Sequence, residues 1–196
     1  HRFAESFAKL EHLDFLDAQI AELDREIEER MLPFGEEMDL LRSMPGVGKT
    51  SSEEIVAEIG VDMDRFPGAG HLASWAGMCP GNHQSAGKRL SGKTTNGNKH
   101  LRATLVQCAH AAARSKNTYY HAQYGRIAAR RGAKRAAVAV ANSMLQSMYH
   151  MLKNKEPYRE LGATYFDELK REANISRAVG KLESLGYKVM LEDAAA

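Results

Sequence analysis

LLRSMPGVGKTSSEEIVAEIG, residues 40–60, is the stretch whose reading decides the fold. An apolar helix end at Leu40-Leu41 runs into Pro45-Gly46-Val47-Gly48, and a second helix is expected to start near Thr50 or Ser51. Glu53 and Glu54 fall in its first turn, where carboxylates suit the positive end of a helix dipole. Ser51 and Glu54 stand at capping-box spacing. Ile55, Val56 and Ile59 give it a buried face, and Gly60 ends it. This is the pattern of a helix-hairpin-helix. Gly46 and Gly48 are free to take positive φ, and without a Cβ each leaves room for a phosphate. The hairpin amides and the N-terminus of the second helix would then form an anion nest. The segment GVGKT also invites a P-loop reading. That motif needs a glycine where Ser43 stands and a strand where a helix is expected, so nucleotide binding is set aside.

Working outward, charge is sorted along the chain. Residues 11–39 hold eleven Asp or Glu against Arg25 and Arg30, whereas residues 65–155 hold fifteen Lys or Arg and no Asp or Glu. The net charge of +2 hides this separation. A long acid-free basic window repels itself unless a polyanion faces it, which points to nucleic acid. The same window lacks the carboxylates that two-metal phosphoryl transfer requires.

The fold class expected is mainly all-α. A coiled-coil helix is read at 10–31, with Leu13, Leu16, Ile20, Leu23 and Ile27 spaced as an a/d seam that needs a partner helix. Further helices are expected at about 36–43, 70–76, 98–115, 118–131, 134–153 and 166–184. Tyr187, Val189 and Leu191 alternate as a possible short edge strand. The division expected is an arm at 1–35, a central domain at 36–165 and a C-terminal helix and tail at 166–196. Glycines and prolines punctuate 61–98, which reads mostly as loop. Trp75, the single tryptophan, reads as core in preference to a base-stacking residue. Cys79 and Cys108 have no ligand spacing around them and read as free thiols, and no histidine pair has metal-ligand spacing. No 18-residue apolar run and no signal peptide occurs, so a cytoplasmic, nucleoid-associated protein with no membrane partner is expected. The start at His1 and the run of alanines at the end suggest a piece of something longer.

What chemistry remains is that of a serine nucleophile. Ser85 lies in a glycine-containing loop with Lys88 and Arg89 behind it, and nearby cations stabilise both an alkoxide and the charge of a phosphoryl transition state. His83 could act as base if the segment is extended. From the residues alone, a serine in a basic loop is more readily a phosphate hydrogen-bonder than a nucleophile.

Four blocks in order then carry a resemblance: MPGVGKTSSEEIVAEIG, LASWAGMCPGNHQSAGK, TTNGNKHLRATLVQCAHAAAR and ARRGAKRAAVAVANSML. Over about residues 10–165 the chain resembles the C-terminal domain of insertion-sequence transposases of the RuvC-like DEDD, bridge-RNA-guided recombinase family. The resemblance implies that Ser85, in HQSAGK, is the nucleophile, with Ser91 as the alternative. It implies that the heptad arm is a coiled coil making a homodimer or higher oligomer. It also implies DNA and a guide RNA as partners, and an N-terminal acidic domain, absent here, that brings Mg²⁺ to the complete enzyme. No cofactor is expected for this piece, which is inert as a recombinase without that domain. Lys88, Arg89, Lys93, Lys99 and Arg102 would hold the scissile phosphate and its flanks. Gly46, Val47, Gly48, Lys49 and Thr50 would grip a phosphate elsewhere without reading bases, and Arg130, Arg131, Lys134 and Arg135 would extend the groove. Two rival classes are a non-catalytic helix-hairpin-helix binding module and a coiled-coil oligomerisation module. The latter leaves the acid-free window unexplained.

Overall fold

The computed structural model describes residues 2–80, 83–85, 88–91 and 94–191. It is mainly helical. In chain order the elements are α1 (Arg2–Met31), α2 (Gly35–Arg42), α3 (Lys49–Ile59), α4 (Ala69–Trp75), β1 (His83–Ser85), β2 (Lys88–Ser91), α5 (Lys99–Arg114), α6 (Tyr119–Arg131), α7 (Ala133–Asn154), α8 (Tyr165–Glu168) and α9 (Arg171–Ser184). Single turns of 3₁₀ helix at Leu32–Phe34 and Met63–Arg65 join the first elements.

Helix α7 is the hub, packing against α2, α4, α5 and α6. Its buried face combines Ala136, Ala137 and Ala141 with Val140, Met144, Leu145, Met148 and Leu152. The alanines let neighbouring backbones come close, and the longer side chains fill the wider gaps toward its C-terminus. Helix α5 offers Leu101, Leu105, Cys108, Ala109 and Ala112 at the spacings of one helical face. Asn98 caps it, its side-chain oxygen accepting from the amides of His100 and Leu101, both at 3.0 Å. Gly132, at φ +84°, turns α6 straight into α7.

The turn between α2 and α3 closes on this core from the side. Leu41, Met44, Val47, Ile55, Val56 and Ile59 are all buried. Gly46 takes φ +87°, and a Cβ built on it would lie 2.4 Å from the Cys108 carbonyl oxygen and 2.6 Å from the Ala112 nitrogen. The turn backbone therefore lies directly on the backbone of α5. Gly48 is different. Its φ is −105°, and no atom lies within 4 Å of a Cβ built there.

Several expectations are corrected. Helix α3 starts at Lys49 with Gly48 as its N-cap. The Gly48 amide donates to Ser51 Oγ at 2.8 Å, so Ser51 is the third residue of the helix and not its cap. Glu54 therefore has no capping role; it accepts the Thr104 hydroxyl from α5. Residues 61–98 contain a two-stranded antiparallel hairpin, β1–β2. The helix expected at 166–184 is interrupted. Tyr165 and Phe166 pack on the Tyr119 ring, with centroids at 5.4 and 4.9 Å, whereas α9 buries nothing. Residues 187–191 form no strand. The described strands, β1 and β2, pair only with each other. Trp75 is 47% exposed, its ring touching Phe66 at 5.8 Å, and is not core. Cys79 and Cys108 are free thiols, the latter buried, and burial raises its thiol pKa.

The seam on α1 is present, but nothing in the described chain covers it. Leu13, Leu16, Ile20, Leu23 and Ile27 are all exposed.

Replacing Gly46 with alanine adds a positive-φ strain to a clash with the α5 backbone, so Gly46→Ala lowers stability by about 2 kcal/mol or more. Gly48→Ala, with open space and an ordinary φ, costs no more than about 1 kcal/mol through a poorer N-cap. Urea denaturation of the two variants measures the difference. Equal losses would show that the turn does not rest on α5.

Candidate nucleic-acid interface

The α2–α3 turn uses part of its backbone on itself. The Val47 amide donates to the Met44 carbonyl at 3.2 Å, and the Gly48 amide goes to Ser51. The Val47 side chain is buried, so it anchors the turn. The outward donors that remain are the amides of the first turn of α3, from Lys49 to Ser51, which no helix satisfies internally. Gly48 leaves open space beside them, and Thr50 is exposed. The Lys49 ammonium pairs with Glu28 of α1, which raises the lysine pKa and lowers the carboxyl pKa. Both groups are more than half exposed, so the pair contributes little to stability and a competing anion can displace it. Of the two turn glycines, then, Gly46 serves packing and Gly48 leaves the approach open.

The hairpin carries the candidate serines. The register pairs Ser85 with Lys88, Gln84 with Arg89 and His83 with Ser91, with an irregularity between His83 and Gln84. Ser85 thus ends β1 at the hairpin turn, opposite Lys88, and the stretch from His83 to Ser85 is extended. Lys93 lies outside the described residues.

The base of the hairpin is tied to the helical core at several points. Pro80 bridges Thr94. Gly77 and Gly97 lie backbone to backbone, and a Cβ on Gly97 would come within 2.3 Å of the Gly77 nitrogen. Asn98 donates its amide to Glu58 of α3. The Arg102 guanidinium donates to Thr94 Oγ1 at 2.7 Å. Through this bond Arg102 helps to anchor the hairpin, and its guanidinium has further N–H donors for the phosphate expected on it. Lys99, one turn earlier on α5, is exposed and makes no ion pair among the described residues.

Seven of the fifteen cations of the acid-free window form two contrasting groups. Arg126, Lys153 and Lys155 reach acids on either side of it: Asp167 at 2.8 Å, Asp64 at 3.5 Å and Glu37. Arg130, Arg131, Lys134 and Arg135 gather at the α6–α7 corner, all exposed, and make no ion pair among the described residues. Arg130 bonds a carbonyl of its own helix, that of Arg126, at 3.3 Å. The first turn of α7 has no acid, and Lys134 and Arg135 stand at its positive end. That arrangement is unfavourable in isolation and is relieved by an external anion.

Sequence reading missed an aromatic cavity between α6, α7 and residues 156–161, lined by Tyr119, Tyr120 and Tyr158. The signal was present as TYYHAQY and EPY, but nothing in a linear pattern brings those segments together.

Residues 38–125 match the IS116/IS110/IS902 transposase family. The matched span takes in the α2–α3 turn, the serine hairpin, all of α5 and the start of α6. The chain is 31% identical over 63% of its length to the transposase for insertion sequence element IS1111A of Coxiella burnetii, covering 35% of that protein. It is 30% identical over 76% of its length to the IS900 42 kDa protein of Mycobacterium paratuberculosis, covering 37% of it. A pilin gene-inverting protein of Moraxella bovis is 28% identical over 61% of this chain, which covers 38% of that relative. Residues 38–125 are thus similar to a transposase domain, and the chain spans a little over a third of the length of these relatives. Among the described residues no helix is long and apolar enough to cross a membrane.

The Arg102–Thr94 bond makes a local prediction. Arg102→Met loses a charge-assisted hydrogen bond, so amide exchange across 78–98 speeds up by about tenfold or more. Exchange in the buried part of α7 stays unchanged. Hydrogen-exchange mass spectrometry reads both, and uniform acceleration would mean that Arg102 supports the whole fold.

Proposed function

We propose that this chain is the DNA-gripping, serine-bearing C-terminal part of a transposase that cuts and rejoins DNA strands through a phosphoester on Ser85. The observation that carries the reading is the transposase-family match across 38–125, which includes both the turn and the hairpin. The name of the pilin gene-inverting relative adds support, since inversion requires cutting and rejoining.

In this reading the Ser85 oxygen attacks a backbone phosphorus, one P–O bond of the strand breaks, and the leaving oxygen takes up a proton. Attack by a strand hydroxyl on the serine phosphoester reverses the step and frees the serine. Each exchange conserves one phosphoester bond, so no ATP is consumed. Lys88 and Arg89, on the opposite strand of the hairpin, supply positive charge for the developing oxyanions, with Lys93 and Lys99 on the flanking phosphates. Ser91 takes the role if Ser85 does not. The α3 N-terminus beside Gly48, with Lys49 and Thr50, holds backbone without reading sequence, and the α6–α7 corner lengthens the path. Among the described residues no three His, Cys, Asp or Glu side chains gather as a metal site. In this reading the Mg²⁺ of the complete enzyme belongs to a separate acidic domain, as the resemblance implies. A second copy covers the α1 seam, and the guide is an RNA.

Two measurements test this. Anisotropy of a labelled duplex gives an affinity that falls steeply with salt. Neutralising Arg130, Arg131, Lys134 and Arg135 together lowers the log–log slope by up to about 4, close to one for each phosphate no longer neutralised. A slope near zero in the parent chain would remove the DNA reading. In the full-length transposase with guide RNA, Mg²⁺ and a nicked target, wild type yields a protein–DNA adduct that Ser85→Ala abolishes. An adduct that persists in Ser85→Ala moves the nucleophile to Ser91, and an active enzyme without an adduct leaves this domain as a grip.

A further inference from the structure

Among the described side chains of the basic window, Trp75 is the one large apolar group that the fold leaves in water. The other exposed large hydrophobics lie at residues 10–32 or from Leu161 onward, and between them only Trp75 is exposed, at 47%. A single apolar side chain on a surface is ordinary by itself. Trp75 is distinguished by how firmly it is braced and by where it stands.

Its ring leans on Phe66, with centroids 5.8 Å apart and 57° between planes. The Phe66 backbone is held on both sides. Its amide donates to the Met63 carbonyl at 3.2 Å, and its carbonyl accepts the Tyr149 hydroxyl of α7, also at 3.2 Å. That hydroxyl in turn accepts from Lys153 Nζ at 3.3 Å. Leu72, Ala73 and Ala76 around Trp75 are fully buried, which fixes α4 against the core. An aromatic ring braced in this way loses little freedom when a flat partner stacks on it.

The ring stands at the foot of the serine hairpin. Trp75 ends α4 two residues before Gly77, whose backbone lies on that of Gly97. Lys99 follows Gly97 by two residues, exposed and without an ion pair among the described residues. Across the glycine contact the two residues are rooted within about 18 Å of each other, so one strand can meet both. The hairpin leaves from the same place, where Pro80 bridges Thr94. Asp64, the acid nearest to Phe66 in sequence, is engaged by Lys153 at 3.5 Å, and residues 65–155 hold no Asp or Glu. An open aromatic ring in a window of purely positive charge fits an aromatic ligand strung on a polyanion, which is a base on its phosphodiester strand.

We infer that Trp75, backed by Phe66, stacks on one unpaired nucleobase of the strand held by Lys99 and the hairpin, an inference that rests on the nucleic-acid reading above. Stacking commits Trp75 to no sequence, because every base has a π face. The base comes from DNA or from an RNA, and the test separates the two.

Trp75 is the single tryptophan, so its fluorescence reports on this place alone. The whole chain is titrated with single strands of about ten nucleotides: oligothymidylate, oligouridylate and an abasic phosphodiester of equal charge. A strand that bears bases quenches the tryptophan saturably, and the abasic strand does not. Whichever of the deoxy and ribo strands quenches at the lower concentration names the source of the base. Trp75→Leu keeps an apolar side chain against Phe66 and removes the ring. Anisotropy then shows affinity for the quenching strand falling about five- to a hundredfold, with affinity for the abasic strand unchanged. Trp75→Phe recovers most of that loss. Equal quenching by the abasic strand, or a Trp75→Leu variant that weakens both strands alike or neither, would overturn the inference. Salt-dependent binding that leaves the fluorescence unchanged removes this inference alone. A chain with neither salt-dependent binding nor quenching loses the proposed DNA grip as well.

Discussion

The seating of Gly46 on the Cys108–Ala112 stretch of α5 is the constraint on which the candidate interface depends. A backbone-to-backbone approach leaves no tolerance for a side chain, so the turn can sit in one place only. That placement buries Met44 and Val47, directs α3 along α5, and brings Glu54 and Glu58 to Thr104 and Asn98. Asn98 in turn caps α5 and ends the segment that carries the hairpin. The amides at the start of α3, the hairpin base and the core are thus fixed by a single packing arrangement. The second glycine pair, Gly77 and Gly97, repeats the device where the hairpin leaves and rejoins the helices.

Electrostatics are organised around the same frame. Three of the acids that flank the basic window pair with cations inside it: Asp64 with Lys153, Glu37 with Lys155 and Asp167 with Arg126. The corner between α6 and α7 receives none of them. Exposed pairs of this kind add little stability, and their effect here is to concentrate uncompensated charge at one end of the hub helix. Lys49 stands between the two regimes, paired by α1 but accessible to a competing anion.

Much of the fold was legible in the chain. The spacing of Leu101, Leu105, Cys108 and Ala112, and that of Val140, Met144, Leu145 and Met148, gives both the helices and their inward faces. Helical periodicity is local, and burial simply selects the face the pattern offers. The misreadings have a common origin. Ser51 and Glu54 have the spacing of a capping box, yet Thr104, fifty residues on, took the carboxylate. Trp75 looked like core, but α4 is short and its inward positions go to Leu72 and Ala73. The alternation at 187–191 had no strand beside it to pair with.

By itself the sequence determined the mainly helical plan, the sorting of charge into an acidic arm and a basic body, and the serine just ahead of basic residues. Each of these follows from residue types at short spacing. Only the tertiary structure decided what each residue faces. It turned Gly46 inward and left Gly48 open, made Arg102 an anchor of the hairpin, paired Ser85 with Lys88, and brought Tyr158 to Ser43 across 115 residues. A linear pattern specifies the face that will be buried. The partner on that face is selected by shape and hydrogen-bond satisfaction among elements far apart in the chain.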